Sequence, residues 1–158
     1  MESLKHQGVI DYSVATASVS EISDLNILGG TRLAMRRAVK QIIQNINGSE
    51  LPEKLISDAC LGMESSIKII VDGRPLRPFP YEHEGVVKGD EKSLVIAMAS
   101  ISAKVNRDRK MKELAKSYPQ YGFDQHKGYG TADHRTALKA FGPAPVHRML
   151  FLRKILKP

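Results

Sequence analysis

The 158-residue chain has a single cysteine, Cys60. One thiol excludes an internal disulfide and any zinc site built from several cysteines, and it suits a reducing compartment. No stretch approaches the roughly 18 consecutive apolar residues of a membrane span, and the N-terminus lacks the basic-then-apolar pattern of a secretory signal. The expectation is a cytoplasmic protein with no membrane partner. The five histidines show no H-x-x-x-H spacing, which argues against zinc. Internal repeats and low-complexity segments are lacking as well. What remains, 42% hydrophobic and 26% charged residues, is the composition of one ordinary globular domain.

Acidic residues are scarce in one half only. Residues 1–85 carry 9 basic and 11 acidic side chains, whereas residues 86–158 carry 15 and 6, so the second half holds all of the net charge of +7. Such a half suits a polyanion, because Lys and Arg that neutralise phosphates release counterions. Solubility is the other reading of the same charge.

The pattern along the chain alternates between strand and helix. Tyr12, Val14, Thr16 and Ser18 fall on one face of a predicted strand. Ser20 reads as the N-cap of a helix with Leu28, Leu33, Met35, Val39, Ile42, Ile43 and Ile46 at three- and four-residue intervals, stopped at Gly48 and weakened by Gly29 and Gly30. A short helix over Pro52 to Met63 follows. Ile67 to Val71 is a β-branched run ending at Asp72-Gly73. Pro75, Pro78 and Pro80 then make an extended loop, and Gly85 to Lys88 a short strand ending at Gly89-Asp90. A helix is predicted from Lys92 until Pro119 interrupts it, with Leu94, Met98, Ile101 and Val105 as its apolar stripe. Asp108 continues that stripe, and Lys104 one turn earlier is its expected ion partner. Thr131 caps a helix closed by Gly142-Pro143, and Arg148 to Lys157 reads as a last basic helix. This order predicts an α/β domain with helices packed on a mixed sheet.

Two aspartates stand where chemistry could occur. Asp72 and Asp90 each follow an apolar β run and each adjoin a glycine, and carboxylates at neighbouring strand ends can share a divalent ion, with paired ions catalysing phosphodiester displacement. Spacing alone also reads as two turn-forming aspartates. The loop His126-Lys127-Gly128-Tyr129-Gly130-Thr131 combines a cation, an aromatic ring and glycines ahead of a helix, which suits a nucleic-acid backbone and equally a capping turn. His147 beside Arg148 reads as a local hydrogen-bonding pair rather than a general base.

The runs VVKGDEKSLVIAMASISAKVNRDRKM, YPQYGFDQHKGYGTADH and FGPAPVHRMLF, preceded by EISDLNILGGTRLAMRRAV and IIVDGRPLRP, resemble bacterial ribonuclease HII, the type 2 ribonuclease H. The resemblance runs from about Tyr12 to Phe151. It implies a ribonuclease H-like fold and an endonuclease that uses Mg²⁺ or Mn²⁺ to cut the RNA strand of RNA/DNA hybrids and DNA with embedded ribonucleotides. The family's site has four carboxylates, of which the Asp of the V-D-G strand end matches Asp72 and the Asp of the G-D strand end matches Asp90. Tyr129 matches the K-G-Y-G tyrosine that packs on a sugar beside the ribonucleotide junction. Lys127, Arg107, Arg109 and Arg148 are candidates for phosphate contact, and Asp108, with Lys104, for structural support of the helix.

One departure from the family is large. The opening D-E-A-G-R-G strand, which supplies the other two carboxylates and senses the ribose 2′-OH, does not occur, and Asp11 stands in the place of a later strand. The resemblance therefore implies an N-terminally truncated domain over 1–142 with a basic helical tail over 143–158. Little or no cutting by this chain alone is expected. A non-catalytic nucleic-acid-binding remnant and one half of a split enzyme are the alternatives. An exposed, apolar sheet edge would invite self-association or a complementing N-terminal segment.

Overall fold

A computed structural model describes residues 1–47 and 68–152. Cys60, the Gly48 stop, the predicted Pro52 to Met63 helix and the end of the last helix lie outside the described residues. A one-turn helix, α1 (Glu2–His6), leads into an irregular segment and then the long α2 (Val19–Asn47). The strand predicted over Tyr12 to Ser18 does not form. A strand needs a partner ladder, and this segment is instead laid along α2 by side chains: Ser13 Oγ donates to Gln41 Oε1 at 2.5 Å, Asn45 to Asp11 Oδ2 at 2.8 Å, and Arg37 to the Thr16 carbonyl at 3.0 Å.

The N-cap of α2 is Ser18, not Ser20. Ser18 and Glu21 form a reciprocal capping box, with the Glu21 N–H donating to Ser18 Oγ at 3.2 Å and the Ser18 N–H to Glu21 Oε2 at 2.8 Å. The helix kinks at Asn26 (φ 60°, ψ 178°), whose Oδ1 accepts the N–H groups of Leu28 and Gly29 and so caps a second segment. Gly29 and Gly30 lie just past the kink, where an added Cβ would meet Leu25 at 2.7 Å and Ile22 at 2.8 Å. They permit the two segments to pack closely there.

The strands are β1 (Ile70–Asp72) and β2 (Glu84–Val86), joined in parallel with Asp72 opposite Val86. The expected mixed sheet is thus, among the described residues, a two-stranded parallel one, because the predicted first strand takes no place in it. The proline-rich connection is braced by His83, whose Nε2 accepts the Leu76 N–H at 2.8 Å. After β2 come α3 (Gly89–Lys92) and α4 (Leu94–Ser117), separated at Ser93, which is extended. A 3₁₀ turn at Pro119–Tyr121 leads to α5 (Phe123–His126), then α6 (Ala132–Phe141) and α7 (Met149–Leu152). Thr131 caps α6 by accepting the His134 N–H, and Gly142 closes it.

Among the described residues, two small cores hold these elements. Tyr121, Phe123, Leu138, Ala144 and Leu152 form one, against Met111 and Leu114 of α4. Ile43 and Tyr81 form the other, joining α2 to the proline-rich loop. The predicted stripe of α4 is not its buried face. Leu94, Ile101 and Val105 are exposed, at 76%, 58% and 41%, whereas Ile96 and Ser102 are buried. Periodicity marks a face of a helix without saying what lies against it.

Candidate active site and nucleic-acid interface

Parallel pairing puts the ends of β1 and β2 on one edge, where ligands of parallel sheets commonly bind. Asp72 ends β1 and is exposed, while Val71 before it is buried at 7%. From β2 the chain turns through Lys88 in a left-handed conformation (φ 55°) so that the Gly89 N–H donates to Asp72 Oδ1 at 2.8 Å. A Cβ on Gly89 would lie 2.6 Å from Ile96 Cδ1 and 3.2 Å from Asp72 Oδ1, so any larger residue would have to displace the end of the Ile96 side chain. Asp90 follows directly, exposed, its Oδ1 accepting the Glu91 N–H at 3.1 Å. Each carboxylate thus spends one oxygen on a backbone donor, and its other oxygen has no protein partner among the described residues.

A second group of candidates lines a cleft of about 620 Å³ that includes Lys104, Arg107, Asp108, Lys127 and Tyr129. The Arg107 guanidinium lies 4.8 Å from the centre of the Tyr129 ring and donates to the Lys127 carbonyl at 3.1 Å. Lys127 Nζ bonds the Asp124 carbonyl. Tyr129 presents its ring to solvent at 62% exposure. Lys127 and Gly128 both have positive φ (51° and 78°), which turns the backbone sharply enough to lift the ring out. Lys104 and Asp108 share this cleft, but the expected ion pair between them is not formed among the described residues. Arg109 is exposed and lies outside the cleft, as its two-residue offset from Arg107 on a helix requires. Arg148 stacks on Phe151 at 4.3 Å, and burial, followed by the charge of Arg107, lowers its pKa.

His126, which also lines this cleft, belongs to a group of three histidines. The reading of His147 with Arg148 as a hydrogen-bonding pair is corrected: His147 Nε2 meets His134 Nε2 at 3.1 Å, and its Nδ1 accepts the Ala144 N–H at 2.9 Å. Burial is the main cause that pushes both imidazoles below their ordinary pKa. His126 stacks on His134 with ring centres 4.3 Å apart. No spacing rule finds this trio, because its members come from α5, α6 and the segment before α7.

The family model described as Ribonuclease HII matches residues 2–154, a span that includes both regions. The chain belongs to the ribonuclease HII family. It is 42% identical over 148 residues to the "Ribonuclease HII" of Caldanaerobacter subterraneus subsp. tengcongensis, covering 94% of this chain and 53% of that protein. It is 44% identical to the proteins of the same name from Hydrogenovibrio crunogenus and Fusobacterium nucleatum, covering 92% and 93% of this chain and 60% and 62% of theirs. The chain thus spans about half to three fifths of the length of these ribonuclease HII relatives.

The donor chemistry at the strand ends can be weighed against the ion the family resemblance implies. Mg²⁺ and Mn²⁺ favour hard oxygen ligands and retain waters, which suits Asp72 and Asp90. Among the described residues no group of three or more His, Cys, Asp or Glu side chains is placed to hold a metal. Two carboxylates with hard oxygen donors have the chemistry for an ion that keeps most of its waters, and are too few for a paired-ion clamp. No helix among the described residues is long and apolar enough to cross a membrane.

Proposed function

We propose that these residues are part of a cytoplasmic, divalent-metal-dependent endoribonuclease that cleaves the RNA strand of RNA/DNA hybrids and cuts at ribonucleotides embedded in DNA, with Asp72 and Asp90 as two of its metal ligands. The observation that supports the reading is the pairing of β1 with β2 together with the Gly89 N–H to Asp72 bond, which brings the start of α3, where Asp90 follows Gly89, to the end of β1. Mg²⁺ or Mn²⁺ would supply charge stabilisation of the phosphate oxygens and activation of water. The chain's own contribution is to orient the two carboxylates through backbone donors, to stack Tyr129 on a sugar, and to hold phosphates with Lys127, Arg107, Arg109 and Arg148. Lys104 and Asp108 line the same cleft, among the described residues without the ion pair expected to support the helix.

Two carboxylates cannot form the whole of a four-carboxylate site, so these 158 residues by themselves bind the substrate and cut it little or not at all. A segment with the family's D-E-A-G-R-G strand, joined in front of these residues or supplied separately, completes the site. The exposed Leu94, Ile101 and Val105 of α4 support this reading, since they offer an apolar face to such a segment.

The test is cleavage of a duplex with one embedded ribonucleotide in Mn²⁺. The 158-residue chain should leave it intact, and addition of a polypeptide carrying the opening strand should start cutting that Asp72→Asn abolishes. Strong cutting by the chain alone would overturn the claim of incompleteness. Binding without cutting under every addition would favour a non-catalytic hybrid-binding module.

A further inference from the structure

We infer that His147 and His134 form a one-way hydrogen-bond relay that positions Tyr129, with His147 acting through His134. The backbone N–H of Ala144 can only donate, so His147 Nδ1, 2.9 Å away, must present its lone pair. The same Nδ1 lies farther from the Ala144 carbonyl, at 3.2 Å, and a ring nitrogen whose lone pair accepts the Ala144 N–H has no proton to donate there. The neutral His147 ring therefore carries its proton on Nε2, aimed at His134 Nε2 at 3.1 Å. His134 must accept there, which leaves its own proton on Nδ1, 2.9 Å from the Tyr129 carbonyl. Every bond in the series points from Ala144 towards Tyr129.

The surroundings favour these neutral forms. His134 and His147 are 5% and 7% exposed, and the rings of Tyr121 and Phe123 pack against the pair. The titratable groups that act on the pair are histidines: His126 on His134, and His134 and His126 on His147. His126 adds a second grip, donating from Nε2 to the Tyr121 carbonyl at 2.6 Å and accepting the Gly128 N–H on Nδ1 at 3.1 Å. The Gly128 N–H and the Tyr129 carbonyl are thus held on two sides of a turn that the left-handed Lys127 and Gly128 create. An exposed ring gains a fixed base in this way, which lowers the entropy it would lose on stacking against a sugar.

The value of this positioning to substrate binding rests on the proposed role of Tyr129, and the measurements keep the two claims apart. Long-range ¹H–¹⁵N correlation spectra of the full chain should show His147 as the Nε2–H form and His134 as the Nδ1–H form. His147→Phe, which keeps the ring volume and removes the donor, should mix the His134 forms and raise the mobility of the Tyr129 amide. His134→Asn, whose amide can donate from the Nδ1 position, should preserve the order of Tyr129, whereas His134→Ala should lose it. The reverse tautomers, or an unchanged Tyr129 amide in both His147→Phe and His134→Ala, would overturn the relay. Affinity for a duplex with one embedded ribonucleotide reads the other claim. Tyr129→Ala should weaken it, and His147→Phe should weaken it roughly five- to tenfold only while Tyr129 is present, the scale of one hydrogen bond. Unchanged affinity in Tyr129→Ala with the tautomers as assigned would remove the substrate role and leave the relay standing.

Discussion

The Asp72 carboxylate and the Gly89 N–H, seventeen residues apart in sequence, are joined at 2.8 Å across the ends of β1 and β2. That bond fixes the direction of the first carboxylate and brings the second, on Asp90, to the same edge. It also separates two roles of Asp72 that substitution can test. An asparagine oxygen still accepts the Gly89 N–H but carries no charge for a cation. Asp72→Asn is expected to change stability by less than about 1 kcal/mol while losing Mn²⁺ association, read as loss of the paramagnetic broadening of the Gly73 and Gly89 amides. Equal broadening in the variant would remove Asp72 from the metal site.

Gly89→Ala tests the packing at the same point. The new Cβ would lie 2.6 Å from Ile96 Cδ1, inside a buried contact. The Ile96 side chain must then shift, at a cost of up to about 1 kcal/mol where its terminal methyl can move aside and more where the buried contact holds it. Urea unfolding should show the loss, and a midpoint equal to that of the parent would mean that the turn relaxes freely.

The basic half of the chain allows a comparison between two arginines on one helix. Arg107 lies over Tyr129 in the cleft, whereas Arg109 faces solvent on another side of α4. In fluorescence anisotropy with a ribonucleotide-containing duplex, Arg107→Ala should lower affinity more than Arg109→Ala. The Arg109 variant should act chiefly through the salt dependence, whose log–log slope falls by about 0.9 for each phosphate that is no longer neutralised. Equal losses would show that net charge, and not the stacked pair, governs binding.

What is legible in the sequence divides along physical lines. The Thr131 cap and the Gly142 stop of α6 depend on a few neighbouring residues, so their signals are local and the structure agrees with them. Asp72 is legible as a strand end for the same reason, whereas Asp90 lies past the end of β2 in the first turn of α3 and not at a strand end. The Tyr12 to Ser18 alternation misleads because a strand is decided by its partner, and here the segment is claimed by Gln41, Asn45 and Arg37 of α2. Ser20 reads as a cap because it precedes Glu21, Asp24 and the helical run, whereas the Ser-x-x-Glu spacing from Ser18 to Glu21 carries the stronger signal. The His134–His147 contact spans thirteen residues and obeys no fixed spacing, and a sequence offers no signal for it.

Acid should reveal the capping box of α2. Arg37 is the main cause that holds the Glu21 carboxyl at about 2, against its ordinary 4.5, with the Ser18 N–H adding to it. A carboxyl whose pKa is lower folded than unfolded contributes stability that is fully present above the unfolded value and is lost as the pH falls through the folded one. The loss should therefore fall between pH 4.5 and about 2. Glu21→Gln should flatten that part of the stability curve in urea melts taken across the window. An unchanged slope would place the acid sensitivity elsewhere, with Asp11, held at about 2 chiefly by Lys5, as the next site to test.

Leu138 links the core to the relay. It is 1% exposed, and it anchors α6 against Tyr121 and Phe123 while His134 on the same helix reaches the Tyr129 carbonyl. Truncation to alanine should cost about 2 to 5 kcal/mol, a large part of a typical domain stability of about 5 to 15 kcal/mol. Thr136→Ala is the matched control, since Thr136 is exposed and its hydroxyl only bonds the Ala132 carbonyl one turn back. It should shift stability by less than about 0.5 kcal/mol. If the core supports the relay, Leu138→Ala should also broaden the His134 ring signals at urea concentrations well below the unfolding midpoint, and Thr136→Ala should not. Sharp His134 signals up to the midpoint in both variants would mean that α6 is held in register by the histidines themselves, independently of the packing of Leu138.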